Sequence, residues 1–150
     1  MSRRSARKGH ERKRAAAADQ LRQGMLSLRE VLGLTPAEVE ALGRVADGMR
    51  RRGSYAEAQS IYGALVAIEP LDAEHWGALA ALQLSQGEHG LAVMCFEALA
   101  LLEGRRPERT RLEAASLRQL GAPQLARELE RHAACHAAVQ PASDRPGGRP

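Results

Sequence analysis

Three residues near the end of the chain have the types and spacing of metal ligands. Cys135 and His136 follow His132 by three and four positions, so on a helix they would share one face and could bind the same ion. No second pair of ligands has a matching spacing, and the only other thiol is Cys95. The surrounding sequence is rich in alanine. We therefore interpret the cluster as a plain helix surface and predict no metal site.

Other patterns that could support catalysis are missing from the sequence. It contains no glycine-rich phosphate loop, nucleophile elbow or paired-carboxylate signature. His75 and His89 are predicted to be turn or surface histidines. Tyr62, Trp76 and Phe96 could form a platform on which bases stack, but their spacing is that of side chains that pack helix against helix, so we assign them to the core. The sequence predicts a protein that is not an enzyme and needs no cofactor.

Composition favours an all-α protein of one domain. The chain has 150 residues and is 44% hydrophobic, with only 3% aromatic residues and a large share of alanine and leucine. Its net charge of +4 comes from residues 1–14, where seven basic residues accompany one glutamate. Such an arm could contact an acidic surface or RNA, so an RNA-associated protein is one alternative. The rest of the chain is slightly acidic, and we do not expect nucleic-acid binding.

The expected compartment is the bacterial cytoplasm. The first residues are basic but are not followed by the uninterrupted apolar segment of a secretory signal. No run approaches the roughly 18 apolar residues that a membrane span needs. Cys95 and Cys135 lie in apolar helical stretches and are predicted to be reduced.

Small residues recur along the chain with a step of 34 residues. This period is typical of tetratricopeptide repeats, in which each unit is a pair of antiparallel helices that buries its apolar face against a stacked neighbour. The residues that follow the step are Gly53, Gly87 and Gly121, then Ala46, Ala80 and Ala114, then Ala58, Ala92 and Ala126.

The large core residues follow the same register. Tyr62 belongs to a first repeat counted from Val39, and Trp76 and Phe96 belong to a second repeat over residues 73–106. A third repeat from Pro107 has Glu130 where a large aromatic residue is expected. We interpret this degenerate repeat as a solubilising cap, with a partner surface as the alternative.

A helix is predicted before the first repeat, over residues 15–32. Its apolar residues Leu21, Met25, Leu28 and Leu32 have helical spacing and would form a cap or a dimer surface. The next helix is predicted from Pro36 to Arg51, because Thr35 supplies a capping hydroxyl. The prediction is therefore a disordered basic arm (residues 1–14), a tetratricopeptide-repeat solenoid of about seven helices (residues 15–139) and a disordered tail (residues 140–150).

A stack of helix pairs has a concave wall that suits an extended segment or a helix of another protein. The wall is lined by four positions on the first helix of each repeat, and the middle repeat has a small, apolar floor there. Small apolar residues leave room for the backbone and side chains of a partner. The predicted groove residues are Glu40, Gly43, Asp47, Arg50, Glu74, Gly77, Ala81, Leu84, Glu108, Arg111, Ala115 and Arg118.

Three stretches carry a resemblance to a known family. They are GSYAEAQSIYGALVAIEPLD from residue 53, HWGALAALQLSQGEHGLAVMCF from residue 75 and the weaker RLEAASLRQLGAPQLA from residue 111. With an added N-terminal helix, this layout resembles the class II chaperones of type III secretion systems, of the SycD/LcrH/IpgC type.

The resemblance implies a chaperone that keeps hydrophobic translocators soluble before export and dimerises through its N-terminal helices. Gly77, Ala81 and Leu84 would form the central anchor pockets, and Asp47 and Arg50 would edge the groove. A different client, such as a needle or rod component, and a general tetratricopeptide scaffold are the alternatives.

Overall fold

The computed structural model describes residues 27–139, and within this range it contains seven helices and no strand. The predicted all-α class is confirmed. The described residues form two compact units, one ending at His75 and the other beginning at Trp76. The basic arm, the tail and residues 15–26 of the predicted first helix lie outside the described residues. The helices are α1 (Leu28–Leu32), α2 (Pro36–Arg51), α3 (Tyr55–Ile68), α4 (Ala73–Ser85), α5 (His89–Glu103), α6 (Pro107–Gln119) and α7 (Pro123–Val139).

Helix α1 corrects the prediction of one continuous helix over residues 15–32. Ser27 has an extended backbone and caps α1, so no helix runs through this position. Its hydroxyl accepts a hydrogen bond from the backbone N–H of Glu30, while the Glu30 carboxylate accepts one from the backbone N–H of Ser27. This capping box fixes the start of α1 at Leu28, and the regular apolar spacing across residues 15–32 gave no sign of it.

The first unit contains the predicted helix from Pro36 to Arg51. Thr35 caps α2 in the predicted way, since its hydroxyl accepts from the backbone N–H of Glu38 and the Glu38 carboxylate accepts from that of Thr35. Helices α2 and α3 pack against each other. Their buried apolar side chains are Val39, Ala46, Ala58, Tyr62, Leu65 and Ile68.

The repeat period is visible in three turns with the same backbone geometry. Gly53, Gly87 and Gly121 have φ angles of 81°, 73° and 76°, a left-handed conformation that side chains with a Cβ rarely adopt. In each turn the residue after the glycine donates its N–H to the carbonyl five residues earlier, over 2.9 Å. This Schellman bond ends the first helix of each pair, and the turn then reverses the direction of the chain for the second helix.

In the second unit α5 packs against α6, and α6 packs against α7. The small residues of the period, Ala80, Ala92, Ala114 and Ala126, are all buried, and so is Phe96. Trp76, which was assigned to the core, is only half-buried. The other buried apolar side chains of this unit are Leu82, Cys95 and Leu99.

Candidate functional site

The predicted groove residues of the first unit lie along α2. Glu40 and Arg50 are exposed, while Gly43 and Asp47 are half-buried. A Cβ placed on Gly43 would lie 4.0 Å from Cδ1 of Leu65, in ordinary contact with the core. We call these four residues the α2 stripe. Three of them are charged, and Gly43 leaves a small gap between Glu40 and Asp47.

A core tyrosine, Tyr62, hydrogen-bonds to Asp47 in the α2 stripe. The phenolic oxygen of Tyr62, whose exposed fraction is 2%, donates a hydrogen bond to Oδ1 of Asp47 over 2.6 Å. Burial, together with this bond, raises the pKa of the Tyr62 phenol. A guanidinium nitrogen of Arg50 lies 3.6 Å from the same oxygen of Asp47. The Asp47 carboxylate is thereby fixed in position, with its charge partly balanced.

The predicted groove residues of the second unit lie on α4 and α6. On α4, Ala81 is exposed and Leu84 half-buried, and no heavy atom of the described residues outside α4 approaches within 4 Å of a Cβ placed on Gly77. On α6, Arg111 and Ala115 are exposed. Glu108, at the start of α6, is exposed as well, and so is Glu74, at the start of α4, which belongs to the first unit. The second unit thus presents open space at Gly77 and exposed small side chains at Ala81 and Ala115.

Arg118, the last groove residue of α6, is already engaged within the unit. Its guanidinium donates to both carboxylate oxygens of Glu130 on α7, over 2.7 and 2.8 Å. Glu130 stands where the repeat would have a large aromatic residue. The ion pair therefore replaces an apolar contact between the two helices of the third repeat.

Sequence reasoning missed a row of buried polar residues on α6. Thr110, Glu113 and Ser116 are buried, although the residues one period earlier are Trp76, Leu79 and Leu82. The period itself carries the signal, since it places a glutamate at a core position. Ser116 pairs with the His89 ring across 3.4 Å.

Arg105 joins two of the carboxylates in this region. Its guanidinium donates to Glu113 on α6 over 2.9 Å and to Glu97 on α5 over 2.6 Å. The Glu113 side chain has an exposed fraction of only 3%. Burial, helped by the neighbouring Glu97, raises the pKa of Glu113 to about 7. The pKa of Glu97 is lowered, because it accepts hydrogen bonds from Glu113 and from Arg105.

A cleft of about 690 Å³ opens beside this cluster. Its volume is within the range of ligand-binding pockets. Apolar and charged side chains share its walls, which are contributed by α5, α6, α7 and the α5–α6 loop. The lining residues are Val93, Glu97, Gly104, Arg105, Glu113, Leu117, Leu125, Glu128, Leu129 and His132.

The predicted surface cluster on α7 has one member in this cleft. His132 lines it, Cys135 is exposed, and the side chain of His136 lies outside the described part. The other thiol, Cys95, is buried, and burial raises its pKa to about 11. Both cysteines are free thiols.

Another group of possible metal ligands lies in the first unit. His75 Nε2 is 3.3 Å from Oε2 of Glu69 and 3.8 Å from Oδ2 of Asp72. Both carboxylates have other partners, because Glu69 is paired with Arg29 and Asp72 accepts from the backbone N–H of Glu74 at the start of α4. These contacts explain the cluster without an ion.

The fold is similar to that of several solved type III secretion chaperones. One is SycD, a translocator chaperone of Yersinia enterocolitica: 20% identity, 79% of this chain and 89% of SycD covered, TM-score 0.62. A second is PcrH of Pseudomonas aeruginosa in complex with the chaperone-binding region of PopB: 28% identity, 75% and 90% covered, TM-score 0.60. The third is SycD with a peptide of the translocator YopD: 21% identity, 65% and 77% covered, TM-score 0.56. SycD has also been crystallised as an alternative dimer.

These similarities confirm the predicted likeness: the chain has the tetratricopeptide-like fold of the class II type III secretion chaperones. No protein-family model matches the sequence, and no curated protein matches it. Among the helices that the structure describes, none has the length and apolar character required to cross a membrane.

Proposed function

We propose that this protein is a non-enzymatic chaperone that acts in the cytoplasm and binds an extended or amphipathic segment of a type III secretion translocator or a related export substrate. The observation that carries the proposal is the likeness to PcrH, which was solved with the chaperone-binding region of PopB and matches 75% of this chain at 28% identity. Identity at this level, over nearly the whole of PcrH, supports a shared role as well as a shared fold.

The surface of the second unit supports a peptide as the ligand. Gly77 and Ala81 stand one helical turn apart on α4 with Leu84 one turn further, and the first two offer little side-chain volume. A client backbone can approach such a stripe closely, and apolar client side chains can contact Leu84. Exposed Arg111 on α6, which has no ion-pair partner among the described residues, offers a charge to the client.

The direct test measures binding of two segments by isothermal titration calorimetry. They are the chaperone-binding regions of PopB and of PopD, each of which was solved in complex with PcrH. A bulky charge in the α4 stripe (Gly77, Ala81 and Leu84) should exclude the client. We therefore expect Ala81→Arg and Leu84→Glu each to weaken binding by about tenfold or more.

The matched control is Ala64→Arg, which places the same charge on an exposed alanine of α3. Its affinity should equal that of the unmodified protein, and circular dichroism should show unchanged helix content in all three variants. Unchanged affinity in both stripe variants would contradict the assignment of the binding surface. Failure of both segments to bind the unmodified protein would contradict the proposed function and favour a general scaffold.

We also propose that the protein forms a homodimer through its N-terminal region. Leu28 and Leu32 of α1 belong to the apolar set predicted for this contact, and Leu32 has an exposed fraction of 56%. Leu21 and Met25, the other members of the set, lie outside the described residues. Burying this exposed leucine against a second copy of the chain would remove apolar surface from water and so stabilise the dimer.

A further inference from the structure

We propose that the cleft bounded by α5, α6 and α7 binds a lysine or arginine side chain presented between aliphatic residues on a segment of a protein partner. The site lies entirely within the second unit and uses none of the predicted groove residues. It is therefore independent of the proposed function.

The cleft has the size and the apolar walls of a side-chain binding site. Its volume of about 690 Å³ can hold more than one side chain. Val93, Leu117 and Leu129 contribute half-buried aliphatic surface, and Leu125 has an exposed fraction of 56%. Burying such surface favours a ligand with aliphatic groups of its own, including the methylene stem of a lysine or arginine.

The charges in the cleft select a cation. Three carboxyl groups line it, those of Glu97, Glu113 and Glu128, together with the guanidinium of Arg105 and the His132 ring. The positive charge of Arg105 is compensated within the protein, because Arg105 forms ion pairs with both Glu97 and Glu113. Glu128 has no ion-pair partner among the described residues. A basic side chain entering the cleft would supply the missing positive charge, whereas an acidic one would be repelled.

Binding of a cation here is coupled to the release of a proton. Glu113 is buried and has a pKa of about 7, so near neutral pH it is protonated in a large fraction of molecules. A cation in the cleft favours the ionised form and drives the proton off. Glu97 on α5 and Arg105 in the following loop interact with Glu113, and Glu128 and His132 on α7 line the same cleft. Affinity should therefore rise as the pH increases through 7.

The experiment uses a short probe that carries the required chemistry. Acetyl-Leu-Arg-Leu-amide is titrated into the full chain, and the leucine methyl signals are followed by NMR with selective labelling. We expect the signals of Leu117, Leu125 and Leu129 to shift with a dissociation constant on the order of millimolar, as a tripeptide makes few contacts. Acetyl-Leu-Gln-Leu-amide tests the need for the cation, and acetyl-Gly-Arg-Gly-amide tests the need for the aliphatic residues. Both should bind several-fold more weakly.

Variants of the lining residues have matched controls at exposed positions elsewhere. Glu128→Gln and Leu125→Gln should weaken binding several-fold, whereas Glu57→Gln on α3 and Leu112→Gln on α6, which do not line the cleft, should leave it unchanged. Glu113→Gln should flatten the rise of affinity between pH 6 and 8, because the proton that the ligand displaces is no longer there.

Several results would overturn the proposal. Equal binding of the arginine and glutamine probes would show that the ligand does not need to be a cation. Absence of shifts at the three leucines would show that the probe does not bind in this cleft. Methyl signals that change on dilution of the protein alone would identify a second copy as the occupant. Signals that move when the basic residues of positions 1–14 are replaced would identify the chain's own arm.

Discussion

Tyr62 donates a hydrogen bond to Asp47 across 2.6 Å, and this bond joins the core of the first unit to its predicted client-binding stripe. The tyrosine ring fills a core position of the repeat, while its hydroxyl reaches the half-buried face of α2. The same residue therefore packs α3 on α2 and orients the carboxylate that Arg50 approaches. Stability of the repeat and geometry of the stripe depend on one side chain.

Replacing Tyr62 by phenylalanine should lower the free energy of unfolding by about 1 kcal/mol, measured by urea denaturation. The ring and its packing stay, and only the hydrogen bond is lost. The loss should be modest because Asp47 is partly exposed, so water can solvate its freed oxygen. Tyr55→Phe is the control: the Tyr55 side chain is exposed and its hydroxyl has no hydrogen-bond partner among the described residues, so its change should stay within about 0.5 kcal/mol. Equal effects of the two substitutions would show that the bond to Asp47 contributes nothing.

Glu113 should make the second unit less stable as the pH rises from about 4.5 to about 7. An ordinary glutamate in the unfolded chain loses its proton near pH 4.5, whereas folded Glu113 keeps its proton up to about pH 7. Between these values the unfolded state binds fewer protons, so the free energy of unfolding falls with pH. The exposed Glu30, Glu38 and Glu103 have lowered pKa values and act in the opposite direction, but only below about pH 4.5.

The measurement compares urea denaturation of the unmodified protein and Glu113→Gln between pH 5 and pH 8. Glutamine keeps the shape and one hydrogen-bonding oxygen for Arg105 but cannot ionise. Its stability relative to the unmodified protein should rise by roughly 2 kcal/mol over this interval. A constant difference at every pH would mean that Glu113 ionises in the folded state as it does in the unfolded one.

The turns of the fold could be predicted from the sequence because their chemistry is local. A step of 34 residues placed Gly53, Gly87 and Gly121 in equivalent positions, and glycine is the residue that adopts the left-handed turn at no steric cost. The start of α2 was predicted for the same reason, since Thr35 and Glu38 satisfy each other's backbone groups three residues apart.

These turns predict opposite effects for two nearby glycine substitutions. Gly87→Ala should destabilise the protein by about 1 kcal/mol, because its φ of 73° is strained for alanine. Gly90→Ala should stabilise it by roughly 0.5 kcal/mol, because Gly90 lies within α5 and a Cβ there meets no neighbouring atom. Thermal unfolding followed by circular dichroism gives both values. Effects of the same sign would contradict the assignment of Gly87 to the left-handed turn that follows α4.

The polar residues of α6 could not be predicted in the same way. Glu113 stands where the repeat pattern expects an apolar residue, and its partner Arg105 is in a loop at a position that no repeat rule fixes. The sequence pattern shows which positions are buried, but pairing of a buried charge depends on where a distant side chain reaches. The break at Ser27 was missed for a different reason: apolar spacing on both sides of it is compatible with one long helix, and the local capping box decided against it.

The proposed dimer predicts that a charge at Leu32 separates the two copies. Leu32→Glu should shift the mass measured by light scattering after size-exclusion chromatography from dimer to monomer, because the charge would have to be buried in the contact. Leu71→Glu is the control, since Leu71 has an exposed fraction of 81% and does not belong to the predicted contact set. A monomeric unmodified protein, or a dimer that survives Leu32→Glu, would contradict the assignment of this surface.

The two cysteines should differ sharply in reactivity. Cys95 is buried between the helices of the second unit and its thiol has a pKa of about 11, so at pH 8 it is protonated and inaccessible. Cys135 is exposed on α7. Treatment of the folded protein with iodoacetamide should add one carbamidomethyl group, on Cys135, as read by mass spectrometry, and Cys135→Ser should leave the folded protein unmodified. In concentrated urea both thiols should react. Rapid modification of Cys95 under native conditions would show that the α5 core opens more readily than its packing implies.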